Sequence, residues 1–488
     1  MYPPQMPHIH HRSVFFLSFL ISATIFTASL YHRVITLDDA WFAERAYQLN
    51  KTGYVHSELF DGVLDWGKRQ YAYHKLHVWQ NAVIAKYIGW SPYFFKTAPL
   101  IYLLVFCYFA YQYNKRYLSP DKPESFYLFL SLLLINTYIV HFGFESRPEV
   151  MMMCVGFLSF LSIRHGIRTE KTAYLLLSGA LAGVAVLFHL NGLMFITAGI
   201  GLIMYTRHYR YLTIFIISAG FVSSLYWYEM VSNDAIAIGV NQILHSPAVT
   251  PEAHSTTSFI LKILTSPARF FSHLFDFSYT LLLVLSLYLY RRSLSHNYEV
   301  KILLVYFIAA ELTLAIINPN NKSMYLILHM PYVLFIVATL YNSTVSTSAK
   351  KAMIFAFSFY AITQIGHVAG LFKEQNSEII DQHALIVKKY HIKQSDKIIA
   401  PAIFVFNEIG KTRISAVYIL YMLARKGEIE LSCKGVFQYA QQHNYRFLIL
   451  KKDFLPEFVN AEADQAHDCP GYRRIGTENN YYIFQSAN

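Results

Sequence analysis

Eleven apolar runs, most of them separated by short polar turns, restrict what this chain can fold into. They cover 13–31, 94–113, 125–142, 149–163, 173–189, 192–205, 211–231, 274–290, 300–317, 324–341 and 352–372. Crossing about 30 Å of hydrocarbon takes roughly 20 helical residues. Several runs are shorter and must be extended or shielded by neighbours. Of the 488 residues only 15% are charged and 55% are hydrophobic, whereas a soluble chain carries about a quarter charged residues. The expectation is an α-helical polytopic membrane protein with eleven transmembrane helices.

The net charge of +11 would point to nucleic acid in a soluble protein. Here it gathers in alternate short loops: Lys115, Arg116 and Lys122; Arg164, Arg168 and Lys171; Arg207 and Arg210; Arg291, Arg292 and Lys301; Lys350 and Lys351. The short loops of the other side carry mainly Arg147 and Lys322. This bias places the first set, and the N-terminus, in the cytoplasm. Segments 32–93 and 230–272 and the tail after 373 then lie outside. The first run lacks a small-residue cleavage site and reads as a retained span rather than a signal peptide.

Two parts follow. Residues 1–372 form the membrane body, in which the outer segment 32–93 carries two amphipathic stretches. Phe42, Ala46 and Leu49 share one helical face with Trp41 beside it, and "HKLHVWQNAVIAKYIGW" runs from His74 to Trp90; both are expected along the membrane surface. Residues 373–488 read as a small α/β domain. "DKIIAPAIFVFN", "YRFLILKK" and "YYIFQ" read as strands and "KGVFQYAQQHN" as a helix. Cys107 and Cys154 lie within spans, as core packing. Cys433 and Cys469 share the tail, either as two thiols or, in an oxidising compartment, as a pair. Gly179 and Gly183 in "GALAG" form a small-xxx-small packing face. No CxxC, HExxH or Walker pattern occurs, so the residues name no metal or nucleotide site.

Charges at the rim of a bilayer are costly, which makes those on the outer side informative. Asp38 and Asp39 open an outer helix. One is accounted for as a cap, but a second beside it repels the first. Glu145, Arg147 and Glu149 crowd the turn between spans three and four, where Ser146 or Glu149 could cap the next helix and Pro148 suits its first turn. Lys322 stands on a polar turn with Asn318, Asn320 and Asn321; a snorkelling anchor is the alternative to a site role. His74-Lys75 opens the second amphipathic stretch, where a solvated face is the plainer account. His329 reads as a satisfied interior histidine, and Glu311 as either functional or a neutral, hydrogen-bonded group. Asn50-Lys51-Thr52 and Asn321-Lys322-Ser323 match the glycosylation sequon, a frequent chance match. Carboxylates facing cations at a membrane rim suit a general base for an attacking hydroxyl and cations for a phosphate leaving group.

"LDDAWFAERAYQLNKTG", "YHKLHVWQNAV", "ESRPEVMM", "HLNGLMFITAG" and "NNKSMYLILHMPYVLFIVA" resemble, in order and spacing over most of 30–345, the GT-C superfamily of integral-membrane glycosyltransferases. The resemblance is nearest to the polyprenyl-phosphate-sugar-dependent branch, which includes protein O-mannosyltransferases, the aminoarabinose transferase of lipid A and lipopolysaccharide galacturonosyltransferases. It implies an inverting glycosyltransferase of the bacterial inner membrane working on the periplasmic face. The donor would be a polyprenyl-phosphate sugar, and the acceptor an envelope lipid, glycan or protein. By the same resemblance Asp38 takes the acceptor proton, with Asp39 orienting it or capping the helix. Arg147, Lys322 and Tyr325 bind the donor phosphate and Lys75 assists. Glu149 and His74 support from behind. No cofactor is named, and a divalent cation stays open; His74 stands where relatives often carry Glu, which counts against a metal site using that position. Three rivals stand beside this reading: a transporter or flippase of lipid-linked sugars, a polymerase or ligase using a diphosphate-linked donor, and a non-catalytic envelope scaffold.

Overall fold

The computed structural model describes residues 11–118, 123–246, 256–318, 322–343, 346–372, 380–455, 468–469 and 471–487. Asn320 and Asn321, from the expected polar turn, lie outside them. The membrane body begins with α1 (His11–Tyr31). Two helices of the outer segment follow, α2 (Leu37–Thr52) and α3 (Lys75–Tyr87). Then come α4 (Pro92–Tyr113), α5 (Pro123–Leu134), α6 (Thr137–Phe142), α7 (Glu149–Thr169), α8 (Thr172–Phe188), α9 (Leu193–Tyr205) and α10 (Leu212–Ser232). After α11 (Ile236–Leu244) and α12 (Thr256–Thr265) the body closes with α13 (Leu274–Leu289), α14 (Arg291–His296), α15 (Tyr298–Ile317), α16 (Met330–Tyr341) and α17 (Thr347–Leu371).

Each of the eleven apolar runs contributes helix. Among the described residues six helical stretches are long and apolar enough to cross a membrane, those centred on α1, α4, α7, α10, α15 and α17. α13 follows a short helical segment from which it is bent by 102°. α5, α8, α9 and α16 are shorter, and neighbours bury them: every residue of α16 is buried. The run 125–142 is two helices instead of one. Asn136 ends the first and caps the second by accepting from Tyr138 N at 2.9 Å, while Gln364 of α17 accepts from Thr137 N at 2.8 Å. A break in the backbone at this depth persists because side chains satisfy the freed groups. The expected span 324–341 starts as a 3₁₀ turn over Ser323–Leu328 and becomes α-helical only at Met330. Gly179 and Gly183 do form a packing face. A Cβ on Gly179 would lie 2.4 Å from Phe215 O, and one on Gly183 2.7 Å from Val222 Cβ, both on α10. Only glycine lets α8 and α10 approach so closely.

The tail adds α18 (Ile380–Lys389), α19 (Val405–Glu408), α20 (Tyr418–Arg425) and α21 (Cys433–Gln442) around a sheet. Its strands are β1 (Lys397–Ala400), β2 (Arg413–Ala416), β3 (Phe447–Lys451), β4 (Asp468–Cys469), β5 (Tyr472–Glu478) and β6 (Tyr481–Ser486), in the order β2-β1-β3-β6-β5-β4. β1 pairs in parallel with β2 and β3; the other pairings are antiparallel. The stretch expected as one strand from Asp396 to Asn407 stops at Ala400. Pro401 cannot donate to the ladder, and the chain turns into 3₁₀ and α-helix from Ala402. Cys433 is disulfide-bonded, while Cys107 and Cys154 are free.

The tail packs onto the outer segment. Ala416 N donates to Leu59 O at 2.9 Å, Trp90 Nε1 to Phe406 O at 3.0 Å, and Arg413 pairs with Asp61 at 3.1 Å. α2 is consequently covered on both sides, with Ala40, Ala43 and Ala46 wholly buried, rather than lying open along a surface. α3 does keep an apolar stripe exposed, Trp79, Val83 and Tyr87.

Candidate active site

Thr36 caps α2. Its hydroxyl accepts from Asp39 N at 3.3 Å, and Asp39 Oδ2 accepts from Thr36 N at 2.9 Å, a reciprocal capping box. Asp39 Oδ1 accepts from Ser146 N at 2.7 Å, and Lys96 Nζ approaches Oδ2 to 3.1 Å. Asp39 and Lys96 are both fully buried. Asp39 therefore ties the start of α2 to the turn 143–148 through Oδ1, and to Thr36 and to Lys96 of α4 through Oδ2. Neither Ser146 nor Glu149 caps α7; Pro148 takes that place without a side-chain bond.

The position beside it is free for other work. Asp38 is 28% exposed and pairs through Oδ2 with Arg147 Nη1; its Oδ1 accepts no hydrogen bond among the described residues. Arg147 is held rigidly: Nε and Nη2 donate to the two oxygens of Glu149 at 3.2 and 2.7 Å, and its plane lies 5.0 Å from the Phe142 ring. The surrounding carboxylates and their hydrogen bonds hold its guanidinium above the usual range against the opposing effect of burial. Glu145 accepts from Thr36 Oγ1 at 2.8 Å; burial, with Asp39 and Asp38 nearby, pushes its carboxyl up to about 8 against the pull of Arg147. Arg33 closes this corner from behind, donating to His141 O and Ser29 Oγ at 3.1 and 2.7 Å.

Tyr325 belongs to the same group. It is buried against His189, with ring centres 5.9 Å apart, within electrostatic reach of Glu149 and Arg147. Lys322 is exposed, makes no ion pair among the described residues and lies within electrostatic reach of His189. It lines a hollow of about 460 Å³ with Tyr138, His141, His273 and His367. Phe142 and Met324 also line the hollow, and Arg147 touches both, so it opens beside the Asp38–Arg147 pair.

Lys75 lies in a second cluster. Its Nζ is 2.7 Å from Glu229 Oε2 and 3.8 Å from the centre of the Tyr73 ring; Arg69 takes the other Glu229 oxygen at 3.1 Å, and Tyr73 OH donates at 3.0 Å. In this state Lys75 is committed to Glu229 and not to the Arg147 group. His74 lies between the clusters, stacked on His189 at 4.5 Å; burial, then His189 and Arg45, holds its imidazole well below the usual range. Glu311 is 2.8 Å from His329 Nε2 and 3.6 Å from the buried Arg269.

Four further residues were not legible as site residues. Lys96 and Glu229 each interrupt an otherwise apolar run, which is the signal that could have found them. Arg269, within electrostatic reach of Tyr325, falls just before one. Arg45 looks like one charge on an amphipathic helix, yet it is buried with its guanidinium 3.6 Å from the Trp41 ring. Its Nε donates to Gln70 Oε1 at 2.9 Å, and it makes no ion pair among the described residues. A desolvated cation–π contact supplies about 2 kcal/mol, less than the several kcal/mol that burying the ion costs.

Among the described residues no group of three or more His, Cys, Asp or Glu side chains is arranged to hold a metal ion. No family model matches the chain, and no curated protein does. Solved structures do. ArnT from Cupriavidus metallidurans bound to undecaprenyl phosphate superposes with a TM-score of 0.60 at 10% identity, over 96% of this chain and 97% of that one. The same protein in its apo state gives 0.61. The Archaeoglobus fulgidus oligosaccharyltransferase tethered to an acceptor peptide gives 0.53 at 9% identity, over 91% of this chain and 69% of that one. The chain has the GT-C fold.

Proposed function

We propose that the chain is an inverting membrane glycosyltransferase that moves a sugar from a polyprenyl-phosphate-linked donor to a cell-envelope acceptor. The observation that carries this is the Asp38 carboxylate, one oxygen on Arg147 and the other open, at the end of the helical bundle beside Tyr325 and the Lys322 hollow. The fold is shared with a protein crystallised with undecaprenyl phosphate. In the reaction an acceptor O–H or N–H attacks the anomeric carbon, and its proton passes to the open oxygen of Asp38. The bond from that carbon to the phosphate oxygen breaks with its electron pair staying on the phosphate, and configuration inverts. Arg147, with Tyr325 and Lys322, receives the phosphate charge. Glu149 keeps the guanidinium fork oriented, and His74 supports it as a neutral ring. Asp39 acts as the brace that positions Asp38. Lys75 assists only if it leaves Glu229. The site faces the periplasm of an inner-membrane protein whose N-terminus is cytoplasmic. The acceptor is an envelope lipid, glycan or protein.

The test is release of free polyprenyl monophosphate from a polyprenyl-phosphate sugar by membranes containing the protein, in the presence of acceptor. Asp38→Asn should lower the rate by at least ~10²-fold, the usual worth of a general base, in a protein that still folds. Arg147→Lys should also slow it, because a point charge replaces the planar fork. Wild-type turnover by Asp38→Asn would remove the assigned role.

A further inference from the structure

Arg45 lies seven residues beyond Asp38, two helical turns along the same face of α2 and about 10 Å away along its axis. Its nearest carboxylates are both occupied. Glu44 turns the other way, accepting from Ser57 Oγ at 2.6 Å and Leu59 N at 2.9 Å, and Asp38 is paired with Arg147. His74 and His77 lie within electrostatic reach of both Arg45 and Arg147, so the two guanidiniums bracket the same patch of the site. Tyr73 and Tyr226 also lie within electrostatic reach of Arg45, and both contact the Lys75–Glu229 pair. Trp41 fixes the plane of the guanidinium and Gln70 fixes Nε, which leaves Nη1 and Nη2 with no hydrogen bond among the described residues. A pre-oriented, unoccupied fork of this kind fits the paired oxygens of a carboxylate or phosphate.

We propose that Arg45 receives a second negatively charged group of the sugar donor, beyond the phosphate at Arg147, and thereby selects an acidic donor. This rests on the glycosyltransferase reading of the site. The second oxyanion has two sources: a carboxylate on the transferred sugar, which keeps the monophosphate anchor proposed above, or the second phosphate of a diphosphate anchor, which would replace it. Arg45 is a specificity-determining residue that binds this group and takes no part in the proton transfer.

Equilibrium binding to the full-length protein in detergent micelles tests this with two matched pairs, glucose 1-phosphate against glucuronic acid 1-phosphate, and farnesyl phosphate against farnesyl diphosphate. In one pair the additional charge should tighten binding by roughly tenfold or more, the usual worth of a charge-assisted hydrogen bond. A gain in the first pair identifies the sugar carboxylate, and a gain in the second the diphosphate. Arg45→Met should bring that ratio close to one, and Arg45→Lys, which keeps the charge without the fork, should lower it by about threefold. Equal affinities within both wild-type pairs overturn the proposal. So does a ratio unchanged in Arg45→Lys, or one that survives in an Arg45→Met protein with the wild-type melting temperature. Because binding is read without turnover, failure here is distinct from failure of the Asp38-dependent release of polyprenyl phosphate.

Discussion

Asp39 and Asp38 are adjacent and chemically identical, but their surroundings assign them different costs. Asp39→Asn strands the wholly buried Lys96, whose remaining partner is Val34 O at 2.6 Å. Breaking such a pair costs about 3–5 kcal/mol. Asp38→Asn removes a partly exposed pair worth about 1 kcal/mol or less. Thermal unfolding in detergent should therefore rank Asp39→Asn several degrees below Asp38→Asn, and equal midpoints would contradict the division of roles. Glu145 adds a pH signature. Its carboxyl is pushed from an ordinary 4.5 up to about 8, so between those values the folded state holds a proton that the unfolded state has released, and stability falls as pH rises. Glu44, pushed up to about 7, acts in the same sense. His77, lowered to about 4, acts oppositely below its ordinary 6.5. Glu145→Gln should flatten the decline in melting temperature between pH 7 and 8; an unchanged slope would show that Glu145 does not titrate there. The paired aspartates and the charged turn at Arg147 were legible because each broke a rule about charge at a membrane rim. Arg45 broke none: its burial comes from contacts with Trp41, Phe42 and Gln70 that the folded outer segment makes.

The apolar runs were legible as helices because length and hydropathy suffice to identify them, and the glycines of α8 because small residues four apart permit close contact. The break between α5 and α6 was not, since an asparagine inside an apolar run reads as a tolerated polar residue until its partners on α17 are known. Those partners make a prediction. Gln364 Oε1 accepts from both Thr137 N and Thr137 Oγ1 at 2.8 Å. Gln364→Leu leaves a buried N–H without an acceptor, a loss of about 1–3 kcal/mol. The denaturation midpoint should drop accordingly, and so should that of Gln364→Glu, which keeps the acceptor but loses the Nε2 donor to Phe275 O and buries a carboxyl. In the tail, β1, β3 and β6 carried enough consecutive apolar residues to be read. β2 has four residues, and β5, "YRRIGTE", has arginines and a glutamate on a half-exposed strand, so neither shows the alternation that marks a buried face.

The docking of the tail onto α2 was invisible in the sequence, because both partners read as independent amphipathic pieces. The contact is mostly backbone and aromatic: the edge of β2 reaches Leu59 through Ala416 N, and Trp90 reaches Phe406 O. No run of complementary charges announces it; Arg413–Asp61 is the one ion pair across it among the described residues. Yet it covers the alanine face of the helix that carries Asp38 at its start and Arg45 two turns later. Ala416→Pro removes the donor to Leu59 while leaving the other residues of β2 able to pair. If the tail holds α2 in place, amide exchange within 40–48 should quicken by about tenfold in Ala416→Pro, the equivalent of ~1.4 kcal/mol of lost protection, and donor turnover should fall with it. Exchange confined to β2 and the loop at 57–61, with α2 as protected as before, would mean that the membrane body alone orders the helix.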